Sequence, residues 1–272
     1  MKIIDIEELF ENYVKKFMKD NAGKYTEEEW EDKIPELYDD FGSRPLEVLG
    51  GKSPEEYYKD LSGKELCALL ERHIEEDVPV SEYLCDALVR GDTEEELLKF
   101  LKVGTDEELI SYAVNVLSDK ACFRALPIYI DYVCSDQTEE NMRELMGEIL
   151  IENAREAASE LTSAIKRAGK GKPIIAEALS NCPKSEKISA FLFDEFSKAR
   201  GKDISLYAHM LVKYGDEAAL PLLNKRIEEP ALKYSDFIEI KYAIEALGGE
   251  YSGERDFSSD PSYRKIKNGN KN

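Results

Sequence analysis

The sequence predicts an all-α protein, an α-α superhelix preceded by a helical amino-terminal cap, and three observations carry that expectation. An apolar pattern returns about every 30 residues, at Leu88, Leu117, Ile149, Leu179, Leu211 and Leu247, the spacing of stacked helical pairs. Four and three residues before each anchor stand Leu84/Cys85, Ala113/Val114, Leu145/Met146, Ile175/Ala176, Tyr207/Ala208 and Ala243/Ile244, so each repeat carries a helical stripe. Nine and twelve residues after the first five anchors come Leu97/Phe100, Leu126/Tyr129, Ala158/Leu161, Ile188/Phe191 and Leu220/Leu223, a second helix in the same register. No strand pattern competes.

Residues 1–78 do not fit the repeat and form the expected cap, with helices over 3–19 and 26–40 and a loop through Arg44-Pro45 and Gly50-Gly51. Ser53-Pro54-Glu55-Glu56 has a capping serine, proline at the first helical position and acids in the first turn, so a short helix starts there. Trp30 is expected to pack with Ile34, Leu37 and Tyr38. The array proper covers 79–250, and its anchors are separated by 29, 32, 30, 32 and 36 residues, the longest interval holding a loop from Pro230 to Asp236. Gly91, Gly104, Gly169, Gly201, Gly215 and Gly248 follow helical patterns, where the left-handed conformation closes a helix. The second helices are expected over 121–134, 153–168, 185–200 and 217–228. Nine residues beyond Leu247 stands Asp256, so the array ends there, and 251–272 reads as a polar tail whose last residues, from Ser262 to Asn272, are polar enough to stay disordered.

The run Ala208-His209-Met210-Leu211-Val212-Lys213-Tyr214-Gly215-Asp216-Glu217-Ala218-Ala219-Leu220-Pro221-Leu222-Leu223 resembles the bacterial HEAT-like repeats of the phycobilin-lyase type. Its first helix ends in leucine, a Gly-Asp turn follows, and the second helix opens Ala-x-x-Pro-x-Leu. Residues 113–129 give a looser copy, with Leu126-Pro127 matching Leu220-Pro221, and 176–191 a poorer one; the copy around Ile149 lacks both the Gly-Asp turn and the proline. The resemblance covers roughly 80–250. It implies a superhelix with the second helix of each pair on the concave side, and no activity.

With 57 acidic against 37 basic side chains the formal charge is −20, which disfavours a general coat for DNA or RNA. No apolar run approaches the roughly 20 residues needed to cross a bilayer, and Met1-Lys2-Ile3-Ile4-Asp5 is interrupted by charge too soon for a secretion signal, so the expected compartment is the cytoplasm, with no membrane contact. Cys67, Cys85, Cys122, Cys134 and Cys182 are odd in number and scattered through apolar stretches, and they read as reduced core thiols.

No residue pattern points to catalysis, a metal or a cofactor. Thr26, Thr93 and Thr105 each stand three residues before a glutamate, so the acid runs that follow them read as capping boxes. Glu75-Glu76-Asp77 lies at a helix end, where the dipole disfavours it. His73 and His209 read as surface or rim side chains, although Glu76 and Asp77 stand one turn beyond His73. Ala168-Gly169-Lys170-Gly171-Lys172-Pro173 lacks the upstream glycine and the hydroxyl residue of a phosphate-binding loop. Its cations instead belong to a series. Lys166, Arg167, Lys170 and Lys172 recur one repeat later as Lys198, Arg200 and Lys202, and equal offsets of 32 residues place them on one rim as a basic strip for a phosphate group or an acidic segment. The competing explanation is that cations decorate helix carboxyl ends. Acidity is polarised, with a balance of −17 over 1–110 and −5 over 111–250, a field that either attracts a basic partner or confers solubility.

The expected function is that of a non-catalytic scaffold for an unidentified protein partner. The rivals are a helical-repeat enzyme, bilin-lyase-like or DNA-glycosylase-like, and an acidic regulator that mimics nucleic acid.

Overall fold

The computed structural model describes residues 3–104, 106–261 and 263–265. Among them the chain is helical, with no strand, and no helix is long and apolar enough to cross a membrane. It divides into two compact units between Ala125 and Leu126, inside the array that the sequence delimits.

The first unit holds α1 (Ile6–Asp20), α2 (Glu27–Gly42), α3 (Pro54–Tyr57), α4 (Gly63–Glu75), α5 (Glu82–Arg90), α6 (Glu94–Val103) and α7 (Glu107–Asp119). Several of these starts are set by side-chain caps. Asp5 accepts from the Glu8 amide, Thr26 and Glu29 close a capping box, Ser62 and Glu65 another, and Asp106 accepts from the Leu109 amide. Thr105 lies outside the described residues. α4 packs on α5, α6 and α7, and α5 on α7, which buries Leu84, Leu88, Leu97, Ala113, Val114 and Leu117.

The second unit holds α8 (Leu126–Cys134), α9 (Glu140–Glu152), α10 (Ala158–Ala164), α11 (Lys172–Ser180), α12 (Glu186–Lys198), α13 (Asp203–Tyr214), α14 (Leu220–Ile227) and α15 (Tyr234–Ala246). Helices two apart in the chain lie side by side: α9 on α11, α11 on α13 and α13 on α15 in one layer, α8 on α10 and α12 on α14 in the other. Their inward stripes bury Ile149, Leu179, Leu211 and Leu247. Polar bonds link equivalent places in successive pairs. Asn181 reaches Ile151 O (30 residues away), Cys182 Sγ Ala154 O (28), Ser185 N Tyr214 Oη (29), and Ser205 Oγ Asp236 Oδ1 (31).

Several expectations are corrected. Thr93 makes no capping bond; its hydroxyl is buried and donates instead to Leu88 O at 2.7 Å, because the α5–α6 corner is so tight that the nearest acceptor is the preceding helix's own carbonyl end. Glu96 consequently pairs with Lys99. Trp30 packs against Phe17 and Tyr25, with ring centroids 6.1 and 5.0 Å away, while Ile34 is exposed, since α2 turns its Leu37 face toward α1. Gly91 and Gly104 have extended backbones rather than left-handed ones. They are required for closeness: a Cβ at Gly104 would stand 2.4 Å from Phe100 O. The second helix expected over 153–168 shrinks to α10, because Asn153 caps the carbonyl of Ile149 and the hydroxyls of Thr162 and Ser163 bond back to the carbonyls four residues earlier. Described residues in the stretch from Tyr251 make packing contacts. Phe257 is buried against Phe237, Tyr263 stacks edge-on at 4.8 Å from Tyr234, and Arg255 donates to Glu229 O and Pro230 O. Ser262 and 266–272 lie outside the described residues.

Replacing Thr93 by valine keeps the shape but strands Leu88 O, so unfolding in urea is expected to show a loss of about 1–2 kcal/mol. Glu96→Gln, which would be costly if a capping box were present, is expected to change stability by less than about 0.5 kcal/mol.

Candidate functional site

The seven cations of the expected strip all belong to the second unit. After α10 the chain tightens into two 3₁₀ turns, Ile165–Arg167 and Gly169–Gly171, and then enters α11 with Pro173 in its first turn. Packing explains the glycines of this run. Gly169 has a φ of +50°, and a Cβ on Gly171 would stand 2.1 Å from Val133 O, so the turn lies directly on the carboxyl end of α8. The run is a packed corner.

Lys166 and Lys170 are exposed in the two turns, and Arg167 pairs with Asp131 at 2.7 Å. Lys172 reaches across to Glu195 of α12 at 3.3 Å, one turn before Lys198. Lys198 pairs with Asp194 at 2.5 Å, and Arg200 folds onto the carbonyls of Ala199 and Ser197 at 2.7 and 3.3 Å. Lys202 is exposed at the start of α13. The Lys172–Glu195 pair thus joins the two clusters. α11 packs on α13, and their carboxyl ends are joined by Lys184 Nζ to Gly215 O and by the Ser185–Tyr214 bonds. The two helices therefore run side by side, with their amino ends, bearing Lys170, Lys172 and Lys202, on one side.

Four of the seven cations are held by carboxylates or carbonyls, whereas Lys166, Lys170 and Lys202 have no ion pair among the described residues. A cleft of 330 Å³ lies between α8 and α10, lined by Pro127, Ile130, Asp131, Ser159, Glu160, Ser163 and Arg167, the one cation of the strip that it includes.

The histidines divide. His73, expected at the surface, is 1% exposed. Its Nδ1 lies 2.9 Å from Pro79 O and 3.2 Å from Val78 O, so that nitrogen carries the proton and donates. The burial follows from the turn after α4, where Asp77 takes a φ of +53° and the Val78 amide returns to His73 O, folding the chain over the ring. Glu76 is turned away to Arg72 at 2.7 Å. His209 is exposed and pairs with Glu239 at 2.5 Å. Among the described residues no three His, Cys, Asp or Glu side chains are placed to hold a metal ion. All five cysteines are free; four are buried and Cys85 is half-buried. Burial first, then Glu96, pushes the Cys67 thiol up to about 12, so it is a neutral core group at physiological pH.

One feature of the first unit escapes linear reading. A cleft of 460 Å³ opens between α2, α3 and α5, with Tyr38 and Tyr83 stacked at 4.8 Å in its wall. Only tertiary structure brings residues 45 positions apart together, and the acids around it look in sequence like ordinary first-turn and surface acids. Comparison with family models, curated proteins and solved structures finds no match to this chain.

Gly171→Ala is expected to cost about 1–3 kcal/mol in urea unfolding, since the added methyl strikes backbone. Lys170→Ala, beside it but exposed, is expected to leave stability unchanged within about 0.5 kcal/mol; equal losses would mean that the run is not a packed corner.

Proposed function

We propose that the protein is a non-catalytic interaction scaffold, an α-α superhelix of HEAT-like repeats, whose basic corner engages an acidic or phosphate-bearing segment of a protein partner in the cytoplasm. The observation that carries this reading is the placement of Lys166, Lys170 and Lys202, unpaired among the described residues, with two of the three at the amino ends of packed helices. A cation at a helix amino end meets the positive pole of the dipole and is disfavoured there. Decoration of carboxyl ends accounts for Lys198 and Arg200 but gives no reason for Lys170 or Lys202. An anionic group seated between them relieves both the repulsion among the lysines and the unanswered amino-end dipoles.

The two-layer stacking of the second unit, with its bonds recurring at 28 to 31 residues, supports the repeat reading and its resemblance to the phycobilin-lyase-type family. The overall charge of −20 speaks against DNA or RNA as the anion, because long-range repulsion opposes a polyanion even where a local corner attracts a single group. The two clefts are lined by charged side chains, unlike the deep apolar pocket a pigment lyase requires.

The test is affinity capture of the full chain from its native cells, beside Lys170→Glu/Lys202→Glu, with quantitative mass spectrometry. At least one stoichiometric protein partner is expected to fall tenfold or more with the double variant. Retention of every partner, or capture of none by the parent chain, overturns the reading.

A further inference from the structure

Both units are acidic, and the first is much the more so. Up to Ala125 it holds 32 acidic and 16 basic residues, a balance of −16, against 25 and 21 in the second unit. Within it the 460 Å³ cleft concentrates that charge against an aromatic wall. Tyr38 and Tyr83 stack with their planes 4° apart, and Tyr83 Oη donates to Tyr38 O at 2.9 Å, which fixes the wall. Gly42 makes room for it, since a Cβ there would stand 2.8 Å from Tyr83 Oη. Tyr58, nearly fully buried, forms the floor side with Leu61 and Leu66.

The rim carboxylates are not compensated. Asp86 is taken by Arg90 at 2.6 Å, but the carboxylates of Asp39, Glu55 and Glu82 have no ion pair or hydrogen bond among the described residues. Lys59 is the only other cation in the lining. The negative field reaches the wall itself: burial first, then Glu55, Glu7 and Asp39, pushes the Tyr83 hydroxyl up to about 12. Just behind, burial, then Glu82, raises Glu7, whose Oε1 is buried without a hydrogen-bond partner.

We propose that this cleft is a binding site for a cationic side chain, the guanidinium or ammonium of a basic segment of a partner protein. The carboxylates are too dispersed to converge on a metal ion, as no three of them are placed to share one. A planar guanidinium with five donors, or an extended segment with cations at successive positions, matches dispersed carboxylates, and electron-rich rings favour such a group over any anion. A volume of 460 Å³ suits one long side chain with part of its backbone rather than a folded surface. The inference rests on the scaffold reading and gives one of its surfaces a partner chemistry. It involves no residue of the basic corner.

The experiment titrates a fluorescein-labelled peptide of alternating arginine and serine into the full chain, read by anisotropy at two salt concentrations, with an alternating glutamate-serine peptide and free arginine amide as comparisons. Glu55→Gln/Glu82→Gln is expected to weaken the arginine peptide at least tenfold. Glu28→Gln/Glu71→Gln, which removes the same charge outside the cleft, is expected to weaken it less than threefold, and the glutamate peptide is expected not to bind. Amide resonances of Tyr38, Tyr58 and Tyr83 in the parent chain are expected to shift on saturation, a readout that needs no variant to fold. Absence of saturable binding, equal weakening by both double variants, or shifts confined elsewhere overturns the proposal. Arginine amide binding as tightly as the peptide would assign the cleft to a small organic cation and overturn the partner segment. None of these outcomes touches the capture result, which depends on Lys170 and Lys202 in the other unit.

Discussion

The last four carbonyls of a helix find no partner within its own ladder, and a chain cut into helices of four to sixteen residues generates many such ends inside a packed core. Their satisfaction by side chains from neighbouring elements is the constraint on which both units depend. Lys120 donates to Val89 O and Gly91 O at the end of α5. Arg143, 2% exposed, donates to Val133 O, Ser135 O and Thr138 O beyond α8. Arg226 reaches Ala199 O beyond α12 at 2.5 Å, and Thr93 and Cys182 do the same with shorter side chains. A buried guanidinium is ordinarily replaceable by an apolar group of similar volume. Here the acceptors are backbone, which no substitution deletes, so removal of Arg143 would take this donor from the buried Val133 O and from the partly buried Ser135 O and Thr138 O.

This constraint separates what was legible in the sequence from what was not. The apolar seam was legible because burial of Leu88, Leu117, Ile149, Leu179, Leu211 and Leu247 depends on helical periodicity, a local property. The destination of a hydroxyl or an imidazole depends on which acceptor lies nearest after folding. Thr93 and Thr26 stand in the same sequence context, three residues before glutamate; one closes a capping box and the other turns back to Leu88 O. His73 was misplaced for the same reason, as nothing in its flanking residues announces that the Asp77 turn folds the chain over it. Gly91 and Gly104 were correctly located as helix stops but for a cause other than the close approach of neighbouring atoms. In the candidate site, the recurrence of lysines at an offset of 32 was visible, while their division into paired and unpaired members was not.

Charge follows a related logic. Exposed pairs such as Lys15–Glu11 or Arg124–Glu95 contribute little on their own, since solvent screens them and long side chains resist immobilisation. They nevertheless engage a share of the basic residues locally, often one turn along the same helix. The groups left over therefore matter more than the totals. In the basic corner the unpaired cations are Lys166, Lys170 and Lys202, two of them at helix amino ends; in the cleft of the first unit the unpaired carboxylates are Asp39, Glu55 and Glu82, beside stacked tyrosines. For Lys170 and Lys202 the sign is opposite to what dipole decoration leaves, whereas Glu55 and Glu82 stand in first turns, where the dipole favours acids, and it is their place around the tyrosine wall that sets them apart.

The glycines that shape the basic corner also bear on its function. Because Gly171 lies within van der Waals reach of Val133 O, the turn carrying Lys170 cannot shift without breaking the seat of α11 on α8. Lys172 is anchored to Glu195, which is itself largely covered. Lys170 is thus carried on a backbone held from two sides, and only its side-chain freedom would be lost to the proposed anion. Such preorganisation lowers the entropic cost of association and makes a small number of charge-assisted hydrogen bonds sufficient for a selective contact. A corner of the same charge on a mobile loop would attract anions at long range yet hold none in a defined geometry.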